Sequence, residues 1–214
     1  MKWDFRLWLF HLLPAISIAA LLTFVFSLQN QVILDNFACH TRNWDFWLTA
    51  FTGPFLHGDW MHLMGNLISF IGLSGLFVLL FPRDWWRFFI LQWLISSVLL
   101  FLLGDFGEQH IGASTWMYAY AAFLSLHVLR SKEKRMKALF LVIVLWYGSM
   151  WWGLLPIMPG VSHEGHIAGL ITGLVIGIIA MPFWDSRVLP EWHYKAKDWE
   201  SDTDPINPYD SFKR

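Results

Sequence analysis

The chain has 214 residues, of which 56% are hydrophobic and 14% charged, with 15 tryptophans and a formal net charge of -1 at pH 7. With a mean hydropathy of +0.46, this composition excludes an ordinary soluble domain and puts the chain in the membrane class. The lipid bilayer is therefore the first partner expected, and no nucleic-acid partner is.

Six apolar runs follow one another, at about 7–28, 62–81, 88–104, 114–129, 138–155 and 165–183. Each is long enough, or nearly so, to cross roughly 30 Å of hydrocarbon. The first run holds His11 and Pro14. It still reads as a span, because it is too long for a secretory signal peptide and lacks a small-residue cleavage site. Between the first two runs, "TRNWDFWLTAFTGPF" is too interrupted to span and predicts an aromatic loop partly inserted in the outer leaflet. Cys39 has no second cysteine to pair with. Trp85 with Trp86, and Trp151 with Trp152, read as interfacial belts. The chain thus predicts an all-α membrane protein with one six-span domain over 1–183, followed by a polar tail over 184–214.

Basic residues set the orientation. Lys2 and Arg6 precede the first run, Arg83 and Arg87 follow the second, and the "RSKEKRMK" stretch follows the fourth. With those after the sixth run, fourteen of the fifteen Lys and Arg share one side, and only Arg42 lies opposite. The positive-inside rule then predicts cytoplasmic N and C termini. With no transit peptide, such clean asymmetry predicts a multi-pass protein of a bacterial inner (plasma) membrane.

In that orientation the even runs all begin at the outer face. Their first turns bring His62 and Asn66 on the second, Ser114 on the fourth and His166 on the sixth to one level. Polar groups inside a span are costly unless they are paired or face water, so they mark a functional site. The fourth run is short, about 24 Å of helix, so Ser114 is expected below the surface beside a wet pocket. His166, Gly169, Gly173 and Gly177 form a small-residue stripe. Ser114, Tyr118, Ala121, Ala122 and Ser125 share a face that predicts close approach to it.

A serine hydroxyl becomes a nucleophile when a neutral imidazole takes its proton. Peptide hydrolysis also needs donors for the oxyanion. His62 and Asn66, one turn apart, and the Ser114 backbone N–H point to that role. His57 lies about 140° from His62 on a continuous helix and is assigned to the preceding loop in support.

These residues resemble the rhomboid intramembrane serine proteases over about 44–183. "HGDWMHLMGN" resembles the family's two histidines and asparagine, "GASTWMY" its Gly-x-Ser-Gly motif with a tyrosine four residues on, and "GHIAGLITG" its base histidine with a small-residue face. The resemblance implies Ser114 as nucleophile, His166 as base, His62 and Asn66 as oxyanion donors, and Tyr118 beside the base. Gly112, Gly169 and His57 fall in supporting positions. Thr115 stands where the family has glycine, at the neck of the pocket, where its side chain is expected to crowd substrate. "HGDW" and the short chain resemble the rhombosortase branch, whereas Tyr118 and "HIAGL" are similar to ordinary rhomboids.

The expected function is a serine endopeptidase using a Ser114/His166 dyad without a third acid, since Glu164 is out of register with His166. No cofactor and no metal is expected. The expected substrates are single-span membrane proteins with unstable helices, cleaved near the outer face. Two other readings stand beside this one. Thr115 suggests an impaired rhomboid-like protein that binds membrane clients. "SHEGH" with His57 and His62 suggests a histidine-based metal transporter, although its histidine spacing fails the zincin pattern.

Overall fold

The computed structural model describes residues 5–131, 134–157, 160–180 and 184. The expected tail beyond 184, the end of the sixth run and part of the basic stretch after the fourth lie outside the described residues. In chain order the elements are α1 (Phe5–Leu28), α2 (Gln31–Phe37), β1 (Cys39–His40), α3 (Thr49–Thr52), α4 (Trp60–Leu80), α5 (Trp85–Leu103), β2 (Gln109–His110), α6 (Ser114–Arg130), α7 (Lys134–Tyr147) and α8 (His163–Ile179). The fold is all-α apart from β1 and β2, which pair antiparallel through Cys39 with His110 and His40 with Gln109.

Each of the six apolar runs holds a long helix, but the helices are not equal. Among the described residues, four segments are long and apolar enough to cross a membrane: Trp8–Leu28 in α1, α4, α5, and Lys137–Leu154, which joins α7 to a tight 3-10 extension over Gly148–Leu154. α6 and α8 have 17 residues each, about 25 Å of helix, less than the hydrocarbon thickness. Polar side chains also dilute α6.

Local chemistry sets where the site helices begin. Asp59 caps α4, its Oδ1 accepting from the His62 backbone N–H at 2.9 Å. Ser162 caps α8, its Oγ accepting from the Gly165 N–H at 3.1 Å. α6 follows Gly112, whose φ of +104° only glycine adopts freely.

Aromatic packing fills the half of the bundle away from these helix starts. Phe77 stacks on Phe88 with centroids 4.8 Å apart, and Phe88 meets Tyr120 at 4.6 Å. All three rings are fully buried. Trp85, expected in an interfacial belt, is instead a core residue stacked on Phe89 at 5.0 Å, while Trp86 is exposed. The interrupted stretch before His57 forms short helical turns around α3.

Among the described residues, α6 and α8 make the most extensive helix contact in the bundle. A Cβ on Gly169 would collide with the Thr115 carbonyl, and one on Gly173 with the Ala119 carbonyl. The α6 face against the glycines is therefore Thr115, Tyr118, Ala119 and Ala122. Ala121 and Ser125, expected on that face, line an apolar groove with α7 instead.

Candidate active site

The first turns of α4, α6 and α8 open onto a polar cleft of about 960 Å³, lined by His62, Asn66, Ser114 and His166 among others. Ser114 Oγ lies 2.9 Å from His166 Nε2. The other ring nitrogen, Nδ1, is 2.7 Å from the Gly153 carbonyl. A carbonyl only accepts, so Nδ1 carries the proton and donates it, leaving Nε2 as the acceptor facing the serine. Among the described residues no carboxylate pairs with the His166 ring, and Glu164 pairs with His163 at 3.2 Å. Tyr118 stacks on the His166 ring, with centroids 4.1 Å apart and planes 17° from parallel, and its hydroxyl donates to the Met150 carbonyl. The imidazole is thus fixed by one hydrogen bond and one flat contact.

His62 and Asn66 overhang Gly112. A Cβ at Gly112 would lie 2.5 Å from His62 Nε2 and 3.4 Å from Asn66 Nδ2. The Asn66 amide is buried, and its Nδ2 has no hydrogen-bond partner among the described residues. A buried donor without an acceptor calls for an explanation, and a ligand oxygen in the cleft supplies one.

His57 lies in the loop before α4 and is completely buried. The Gln29 side chain clasps its backbone, donating to the His57 carbonyl and accepting from its N–H at 3.2 Å. The ring meets His62 edge-on at 5.1 Å, and its Nε2 accepts weakly from the Ala113 N–H at 3.5 Å. Burial above all, with His62 beside it, lowers the His57 pKa to about 4. It is therefore neutral at pH 7 and able to accept.

A rhomboid domain model matches residues 43–183, well over half of the chain. The chain belongs to the rhomboid family. The curated proteins similar to this rhomboid include uncharacterized proteins of Mycobacterium bovis and Mycobacterium tuberculosis, each 31% identical over 146 residues, covering 64% of this chain and 60% of theirs. It is also 25% identical over 141 residues to the rhomboid-type serine protease 2 of Emericella nidulans, covering 64% of this chain and 27% of that protein. The chain thus spans about 60% of the length of the mycobacterial relatives it matches. Family membership and the long apolar helices make it a multi-pass membrane protein of an intramembrane protease family.

Two expectations about the rhomboid's cleft need correction. Thr115, expected at the neck of the pocket, is buried at 4% exposure and turned toward α8. Its Oγ1 would lie 3.1 Å from a Cβ on Gly165, and the residue does not line the cleft. His57, His62, His163, Glu164 and His166 do not form a metal-binding cluster among the described residues; both His166 ring nitrogens already face other partners.

Sequence reasoning missed several participants. Gly153 acts through its carbonyl, which leaves no mark in the sequence. Gln29 had a signal, a carboxamide at the end of an apolar helix. The β1–β2 pair, which holds the approach to Gly112 beside α3, is too short to read from alternation.

Proposed function

We propose that this rhomboid is an intramembrane serine endopeptidase in which Ser114 is the nucleophile and His166 the general base. The single observation that carries this reading is the 2.9 Å approach of Ser114 Oγ to His166 Nε2 with Nδ1 committed to the Gly153 carbonyl. The name of the Emericella nidulans relative, a rhomboid-type serine protease, points the same way.

The chemistry runs in two halves. Ser114 Oγ attacks the scissile carbonyl carbon while its proton passes to His166 Nε2. The carbonyl oxygen becomes an oxyanion and meets the Asn66 amide, the His62 ring and the Ser114 backbone N–H, which as a first-turn group has no acceptor within its helix. The tetrahedral intermediate collapses, the C–N bond breaks, and the proton on Nε2 goes to the leaving amine. Water then attacks the acyl-enzyme with His166 again taking a proton, and the Ser114 oxygen leaves as the hydroxyl.

The substrates proposed are single-span membrane proteins whose outer helix end unwinds, because a helical peptide bond is shielded and its carbonyl already hydrogen-bonded. The charge distribution supports cytoplasmic termini and cleavage near the outer face of a bacterial inner membrane. The test is cleavage of reporter-fused single-span substrates by the protein in lipid vesicles. Cleavage should rise when a helix-breaking residue is placed near the scissile bond and vanish in Ser114→Ala. Cleavage indifferent to helix-breaking residues would sink the substrate class, and cleavage surviving Ser114→Ala would sink the mechanism.

A further inference from the structure

The cleft holds a second cluster that the proposed chemistry does not use. Glu108 and His110 come from the turn and strand around β2, and Glu164 from the first turn of α8. One ring nitrogen of His110 and one carboxylate oxygen from each glutamate lie within 4.8 Å of one another. The His110 side chain is only 7% exposed, and its Nε2 faces Glu108 Oε2 at 3.5 Å with no hydrogen-bond partner among the described residues. Its Nδ1 is held 2.7 Å from Ser162 Oγ, which leaves Nε2 as the nitrogen available to a ligand. Metal-binding histidines are oriented in this way by an outer hydrogen bond on the second nitrogen. Glu164 is steadied likewise by His163.

We propose that Glu108, His110 and Glu164 form a divalent transition-metal site of the zinc type at the mouth of the cleft. One imidazole and two carboxylates make a three-ligand set with a position left for water, and two carboxylates match the charge of the ion. The nitrogen donor selects against calcium and magnesium, which prefer oxygen alone. Ligand atoms about 2.1 Å from a tetrahedral zinc stand about 3.4 Å apart. The Nε2 to Oε2 separation already matches that spacing, and Glu108, half-exposed, can turn to complete the geometry. An ion there ties the segment entering Ser114 to the helix start that carries His166. The site is independent of the protease reading, because none of its ligands is a reacting group.

The test is equilibrium dialysis of the full chain in mild detergent, after chelator treatment, against zinc, with calcium and magnesium in parallel. Wild type should bind zinc saturably in preference to the other two ions, and zinc should raise its unfolding temperature. Glu108→Gln and Glu164→Gln should each weaken zinc binding by more than about tenfold and abolish the temperature shift. Glu108→Gln is the primary variant, since its side chain is half-exposed and its loss spares the core. His62→Ala should retain zinc. Three outcomes would overturn the proposal: no saturable zinc uptake, uptake unchanged in both glutamine variants, or uptake lost in His62→Ala alone.

Discussion

Asn66 and His57 show how single side chains are set for chemistry or for support. The Asn66 Nδ2 is buried without a partner among the described residues, so truncating it removes no internal hydrogen bond of that amine. Asn66→Ala is expected to lower kcat by about 10²–10³ with little change in KM or unfolding temperature, as loss of an oxyanion donor does. Steady-state kinetics on a reporter substrate checks this, and undiminished kcat would remove Asn66 from the mechanism. His57 titrates near 6.5 when unfolded and at about 4 when folded, because burial disfavours its charged form. Between those values the unfolded chain binds more protons, so stability falls as pH drops from 6.5 to 4 and is flat with respect to this group above about 7. The loss is of the order of 3 kcal/mol. Burial lowers the His110 pKa as well, so it adds in the same direction. Unfolding temperature measured across pH should show this slope, and His57→Asn should flatten it; an equal slope in the variant would contradict the assignment. That Ser114 and His166 share a level was legible in the sequence, because each falls in the first turn of an even-numbered apolar run and those runs begin on the same side. That a backbone carbonyl orients His166 was not legible, since any residue at position 153 offers one.

At the scale of elements, the α6–α8 contact sets the distance between Ser114 and His166. A Cβ on Gly173 meets backbone at Ala119, which cannot rotate away, so Gly173→Ala must spread the helices. It is expected to cost about 1–3 kcal/mol of stability, as overpacking does, and to reduce activity by more than about tenfold through lengthening of the Ser114–His166 approach. Thermal unfolding and turnover measured together check it; full activity with full stability would show that the glycines do not set the spacing. The glycine stripe on α8 was legible from its period, but the partner face on α6 was not. Small residues occur on two sides of α6, and tertiary packing chose Thr115 and Ala119 over Ala121 and Ser125. Thr115 illustrates the same limit: a motif position marks proximity to the nucleophile, while helix rotation decides whether its side chain faces the cleft or the neighbouring helix.

Across the whole molecule, the six apolar runs translate into helices of two kinds. Four long apolar segments among the described residues can cross a membrane by length and composition, while α6 and α8, shorter than the hydrocarbon thickness, carry Ser114 and His166 in their first turns. Hydropathy made the all-α membrane class legible, because the apolar runs have no other stable use in lipid. It did not resolve α2, α3 or the β1–β2 pair, which are shorter than any periodic signal. The helix arrangement underlies the proposed activation of Ser114 through His166. That activation is tested most directly by labelling with a fluorophosphonate probe in mild detergent, on wild type, Ser114→Ala, His166→Ala and Thr115→Gly. Labelling of wild type should disappear in both dyad variants and should not increase in Thr115→Gly, whose threonine packs on α8 and leaves the cleft open. Wild type without labelling, or labelling that persists in Ser114→Ala, would contradict the proposed activation.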